Sequence, residues 1–419
     1  MDQRRRRIKI PKKSKIAFVC SGGAAKAGAF HLGVALALQE KGFKFCGGLK
    51  REAAGDPDRV KMEDSSGREI SIYVGSSAGS IICSYLASGY SLDQIFDAFL
   101  GKRQADSNAR SLKRLNYTTM FSLRKDASLL DMLGAITDVG KLPALGNFAR
   151  KLAKDSYENL FKWKWLKLPG IFTTSGIEKY LREDVLPSND FQSYEPDLFI
   201  LATQLNHSRK VVFGKYKYMP DDKTVSYINT TNISDACAAS TALPLIFSPY
   251  PIKNEKGNPL YYFDGEIRDT LSTHVAFDAG ADLIIASYTH QPYHYSRAIG
   301  SLHQYGIPAV MIQALYLMIE RKIQFFIETQ ERHAVAHETV SRFFKEHNLP
   351  EHLRTQCLDQ LSRKLNFKEN VDYIYIHPKS KDHQMFFGDH FNLSGRRMTE
   401  IVRLGFKSAI DVLRRYDFS

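Results

Sequence analysis

The chain has 419 residues, 43% of them apolar, enough for a large core in one big α/β domain or in one domain with an appendage. Its formal net charge of +13 suits an anionic partner, but no zinc finger, RNP-type aromatic strand or helix-turn-helix pattern accompanies the charge, so nucleic acid is not expected. The longest apolar stretch, Ile307 to Ile319, is too short to cross a bilayer and contains Gln313, and no apolar run follows Arg4 to Arg7, so neither a membrane span nor a secretory leader is expected.

Residues 1–14 read as a basic disordered arm, the first fifteen residues holding eight Lys/Arg against one Asp. Residues 15–20 (KIAFVC) read as a buried strand, followed by the glycine-rich turn Ser21 to Gly28 and a helix from about Ala27 to Lys41. Residues 44–69 are polar and read as an irregular excursion. Residues 70–74 (ISIYV) form the next strand, and Gly75-Ser76-Ser77-Ala78-Gly79 leads into a helix running to about Ser88. Ser91 is placed to cap a helix over 92–100.

Residues 101–170 break this rhythm. Between 101 and 167 lie fourteen Lys/Arg against six acids, with Trp163 and Trp165 the only tryptophans, so this insertion is a candidate lid or membrane-contact region. Strand patterns return at 198–203 and 210–214, then a small-residue helix at 235–242 stopped by Pro244, a strand at 261–263 ending in Asp264-Gly265, a helix at 273–279 and a strand at 283–287. The alternation predicts an α/β fold, a three-layer α/β/α arrangement with a mainly parallel central sheet. Ligands in such folds bind beyond the carboxyl ends of the strands, where both glycine turns and Asp264 would lie. After 290 come a long helix over 308–346, expected to serve core packing or a partner interface, a strand at 371–377 and a last amphipathic helix at 395–416. The catalytic domain is therefore drawn over 15–290, with 291–419 as a helical extension packed on it.

Three features carry chemistry. The segment 75–79 is a G-x-S-x-G elbow set between a strand and a helix, which lifts the Ser77 hydroxyl out of a tight turn; Gly75 and Gly79 leave room for that turn. Gly22, Gly23 and Ala24 are small enough to let backbone N–H groups approach a tetrahedral oxyanion. Lys26, a cation at a helix start, is either a contact for an anionic substrate or a solvated surface lysine. For the base, thirteen histidines are available, and His377 and His383 come late enough in the chain for a triad, but neither occupies a distinctive loop. Asp264, in an Asp-Gly pair directly after a strand, is the better candidate, because partial burial raises a carboxylate's pKa and makes it a stronger base. The five cysteines, Cys20, Cys46, Cys83, Cys237 and Cys357, are scattered without C-x-x-C spacing, which suits a reducing compartment without disulfides or a zinc site.

In this order, the block Ser21 to Val34, the elbow, the segment 235–244 ending in proline, Asp264-Gly265 and the segment 278–282, the chain resembles the patatin-like phospholipases. The resemblance spans about 15–290. It implies a Ser-Asp dyad lipid acyl hydrolase with Ser77 as nucleophile, Asp264 as base, and Gly22, Gly23 and Ala24 lining the oxyanion hole, with no metal and no cofactor. The implied substrate is a glycerophospholipid ester, and the implied setting is cytoplasmic, at an anionic membrane surface. A membrane-surface scaffold of low turnover, or an acyltransferase using the same serine, are the alternatives. The chain departs from the family pattern at Ala24, where a third glycine is usual, by one extra residue between Gly23 and Gly28, and at Glu266, where glycine or alanine usually follows Asp-Gly. A carboxylate at 266 turned inward would raise the pKa of Asp264; the alternative is that it faces solvent.

Overall fold

A computed structural model describes residues 7–50, 67–101, 111–123, 170, 172–216, 224–244, 246–268, 270–387 and 393–418. Most of the 101–170 insertion, including Trp163 and Trp165, lies outside the described residues, as does 51–66 of the polar excursion.

The short apolar runs bounded by glycine turns form strands, as their length requires. In chain order the elements are β1 (Ile8–Ile10), β2 (Ile16–Cys20), α1 (Ala24–Glu40), β3 (Lys44–Phe45), β4 (Glu69–Ser76), α2 (Ala78–Ala87) and α3 (Leu92–Leu100). After short helical and strand pieces come β5 (Asp197–Gln204), β6 (Arg209–Gly214), β7 (Val225–Ile228), α4 (Ile233–Ser240), β8 (Tyr250–Lys253), β9 (Pro259–Asp264), α5 (Thr273–Asp278) and β10 (Leu283–Ser287). The chain continues through α6 (Gly306–Glu346), α7 (Glu351–Leu365), β11 (Asp372–Ile376), α8 (Gly395–Leu413) and β12 (Tyr416–Phe418).

Among the described residues the central sheet runs β8-β9-β5-β4-β2-β10-β11, with β3 on β4, β6 on β5 and β7 on β6. The pairs from β11 through β10, β2 and β4 to β5 are parallel. Strands β8, β9 and β6 add antiparallel pairings around β5. All five residues of β2 are buried, as expected for a strand covered on both faces. Its side chains alternate: Ile16, Phe18 and Cys20 join the core beneath α1, α2, α4 and α8, while Ala17 and Val19 join the one beneath α5 and the Ile319–Ile323 stretch of α6. This is the predicted three-layer arrangement. Helix α1 is buried along most of its length, and it lies close on α8: a Cβ at Gly33 would fall 2.0 Å from the Val402 carbonyl oxygen, and one at Gly405 would fall 2.2 Å from that of Phe30.

Several elements differ from expectation. Ile8–Ile10, inside the expected arm, is a strand paired in parallel with β12. The region after 290 supplies β11 to the central sheet beside β10 as well as helices. Helix α1 begins at Ala24, three residues earlier than predicted, so part of the glycine-rich block is already its first turn. Ser91 caps α3 through a reciprocal pair with Gln94, as its sequence position suggested.

Candidate active site

The register of one strand brings the site together. On β5, Leu201 is the partner of Ser76 at the end of β4, and the next residue, Ala202, is the partner of Asp264 at the end of β9. A parallel strand and an antiparallel one thus deliver the elbow and the Asp-Gly turn to adjacent positions. Ser77 and Asp264 line the same cavity, and the Ser77 side chain is near enough to hold the Asp264 carboxyl pKa down against the effect of burial.

Ser77 has φ 50° and ψ −125°, a left-handed conformation rare for a residue with a side chain. Such strain costs on the order of 1–3 kcal/mol and persists only when the surroundings hold it. Here they do. The Ser77 N–H donates to Ser240 Oγ at 2.8 Å, and Ser240 Oγ donates in turn to the Leu201 carbonyl at 2.5 Å. The Ser77 carbonyl accepts from the Ser80 N–H at 2.9 Å and the Ser80 hydroxyl at 2.6 Å. Gly75 and Gly79 are required by space: a Cβ at Gly79 would lie 2.2 Å from the Cys20 carbonyl oxygen, and one at Gly75 would lie 2.6 Å from that of Gly79.

Asp264 is held equally firmly. Its N–H donates to Ala242 O at 3.0 Å, its carbonyl accepts from Thr203 Oγ1 at 3.2 Å, and its Oδ1 accepts the Glu266 N–H at 2.9 Å. Burial pushes the carboxyl up to about 6; hydrogen bonds from Glu266 N–H and Ser77 partly offset that rise. Gly265 occupies the tight turn that follows, packed on Leu201.

The glycine-rich block divides. Gly23 and Ala24 line one cavity of about 640 Å³ with Ser77 and Asp264. Ala24 has φ 58°, so an alanine carries a left-handed conformation suited to glycine. Gly22 is placed behind them, and its N–H donates to Glu266 Oε1 at 2.9 Å. Glu266 is buried and packs on Gly22, its Cγ 2.7 Å from where a Gly22 Cβ would stand. The inward-turned carboxylate is therefore present, and it engages one of the three residues expected to line the oxyanion hole.

Lys26 differs from both alternatives, substrate contact and solvated surface. It is buried and does not line the cavity. Its ammonium donates to the Met385 carbonyl and, at 3.3 Å, to the Tyr316 hydroxyl. Burial, and secondarily the nearby Arg397, lowers its pKa to about 7. The early start of α1 explains the difference, because Lys26 belongs to a helical turn packed against α6 and the 385 region rather than to an open loop.

Neither late histidine serves the serine. His377 stacks on Tyr288 and hydrogen-bonds the Pro378 carbonyl at 2.9 Å, and the His383 ring packs against Tyr293. A histidine not foreseen does matter structurally. His31 is buried between the Ser21 carbonyl (Nε2, 2.9 Å) and Ser287 Oγ (Nδ1, 2.7 Å). A carbonyl can only accept, so Nε2 carries the proton and Nδ1 accepts from Ser287. Burial lowers its pKa to about 4, which keeps it neutral, and it pins the start of the glycine-rich block. Thr289, donating to Gly22 O at 3.1 Å, does the same from β10's far end. Ser240 lies within the small-residue segment 235–244 and His31 within the block Ser21 to Val34, whereas Thr289 carries no signal beyond its type.

Apolar side chains make up most of the cavity wall, including Ile81, Leu115, Ile246, Phe247, Ile312 and Phe386. Such a chamber suits an acyl chain whose carbonyl rests at Ser77.

The sequence profile of the patatin-like phospholipases matches residues 18–277. No curated protein matches the chain. The matched span begins within β2 and takes in both glycine turns, β5 and Asp264, more than half of the sequence, so the chain belongs to the patatin-like phospholipase family, whose members are lipid acyl hydrolases.

Proposed function

We propose that the protein is a phospholipase A or lysophospholipase type enzyme that cleaves glycerophospholipid esters through a Ser77–Asp264 dyad. The observation that carries this reading is the adjacency of Ser77 to a buried, base-strengthened Asp264, delivered by neighbouring positions of β5 to one largely apolar cavity of about 640 Å³. Asp264 accepts the Ser77 proton as Oγ attacks the ester carbonyl. The N–H groups of Gly23 and Ala24 are the donors offered to the oxyanion. Collapse of the tetrahedral species returns the proton from Asp264 to the leaving alkoxide and leaves an acyl-serine. Water, deprotonated by Asp264, then frees the fatty acid and restores Ser77.

A fluorophosphonate probe tests the nucleophile. Wild type should label and Ser77→Ala should not; equal labelling of both would sink the reading. Mass spectrometry of products from a defined lipid mixture assigns the ester position. One observation favours a second reading, a lipid-surface protein of low turnover: the Glu266 carboxylate holds Gly22 N–H, as described above. Lipid binding without fatty-acid release would select it. Transfer product in place of free acid would select an acyltransferase.

A further inference from the structure

Helix α6 is apolar on both sides over its first four turns, between Gly306 and Ile319, with Gln313 the one exception of note. At about 100° per residue, Ile312, Tyr316, Ile319 and Ile323 share one side, and Val310, Met311, Ala314, Leu317 and Met318 share the opposite one. The first side is packed inward: Tyr316, Ile319 and Ile323 are buried, and Ile312, Tyr316 and Ile319 line the cavity. The second side is open to solvent, with Met311 64% and Met318 58% exposed, flanked by Val310 and Leu317 at 48% each. A helix hydrophobic all round is normally covered all round.

We propose that this outer side of α6 docks on a phospholipid surface, so that lipid passes from that surface into the cavity at the same helical turns. The proposal rests on the acyl-hydrolase reading above. Three observations favour lipid as the occupant. Leu315 and Tyr305 are both exposed and both part of the cavity wall, so the open apolar side is continuous with the chamber. Ile267, also exposed and also cavity-lining, is joined to α6 by Lys322, whose ammonium lies 3.3 Å from the Ile267 carbonyl and 3.4 Å from that of Arg268. Lys322 and its exposed neighbour Arg321 thus place cations where the apolar strip ends, in reach of headgroup phosphates. Finally, the strip is short. Beyond Met318 the same side carries the charged Arg321, Glu328 and Arg332, with Phe325 the one large exposed apolar residue among them, whereas pairing with a second copy as a coiled coil wants an unbroken apolar seam over at least about three heptads. A second copy seated there would also cover the rim formed by Leu315 and Tyr305.

The test is flotation with vesicles of phosphatidylcholine and phosphatidylglycerol, run beside turnover of the water-soluble ester p-nitrophenyl butyrate. Wild type should float with the vesicles. Met311→Glu/Met318→Glu should lower the floated fraction at least tenfold while thermal unfolding stays unchanged. Val335→Glu, an exposed change on the same side beyond the strip, should float as wild type does. Undiminished flotation of the double variant, or no flotation of wild type, overturns the proposal. So does a wild-type dimer that the double variant dissociates with flotation unaltered, which would assign the strip to a second copy. Soluble-ester turnover reads the dyad separately: its absence in wild type counts against the acyl-hydrolase reading, whereas flotation alone decides the docking side.

Discussion

Replacing Asp264 by Asn should abolish turnover and, at neutral pH, make the protein more stable. The carboxyl is buried and its pKa is raised from 3.8 to about 6 in the folded chain. The folded state therefore holds this proton more tightly than the unfolded state does. The stabilisation linked to the neutral form is fully present below 3.8 and is lost as pH rises through about 6. A shift of that size corresponds to about 3 kcal/mol at pH 7 and to about half a kcal/mol at pH 4. Asparagine is neutral throughout, keeps an oxygen for the Glu266 N–H, and avoids the cost. Chemical denaturation of both proteins at pH 7 and pH 4 measures the difference, in which every other titrating group largely cancels. The variant should gain about 3 kcal/mol at pH 7 and only about half a kcal/mol at pH 4. An advantage independent of pH, or none at pH 7, would refute the assignment of a desolvated, base-strengthened carboxylate. In wild type the same group should make kcat/KM rise about tenfold per pH unit below 6 and level off above it.

Glu266→Gln keeps an acceptor for Gly22 N–H but removes a negative charge beside the glycine-rich block; steady-state kinetics should show kcat raised by roughly three- to tenfold, and a fall in kcat would instead make the carboxylate a working part. Ser240→Ala deprives the buried Ser77 N–H of its acceptor and should cost about 1–3 kcal/mol by denaturation together with a drop in kcat at unchanged KM. Ala24→Gly relieves an alanine at φ 58° and should stabilise by about 1 kcal/mol. Gly33→Ala forces a methyl to within 2.0 Å of the Val402 carbonyl and should destabilise by about 3 kcal/mol, visible as a lowered Tm.

The strand–turn–helix units around Ser77 and before Asp264 were legible because each is local: a short apolar run, a glycine turn, then a helical pattern. The fold class followed from their alternation. What could not be read locally was set by distant packing. Lys26 is a polar residue in a small-residue block, and only α6 and the Met385 carbonyl, both remote in sequence, determine that it is buried. Glu266 could face either way until Gly22 supplied a donor. The strand Ile8–Ile10 sits in a cationic stretch whose partner, β12, comes at the other end of the chain. Helix α7 does carry apolar residues at four-residue spacing, Leu353, Cys357, Leu361 and Leu365, but none of its residues is buried, so its stripe is weak beside its many charges.

The adjacency of Leu201 and Ala202 on β5 also has a consequence for biosynthesis. Ser76 reaches β5 from the N-terminal side, but Asp264 reaches it only from β9, which is made after β5 itself. A nascent chain that has emerged only through α4 carries Ser77 without Asp264, the base proposed for it. A ribosome-bound fragment of that length should therefore leave lipid esters intact, and the proposed dyad is brought together late in synthesis, with the antiparallel docking of one short strand.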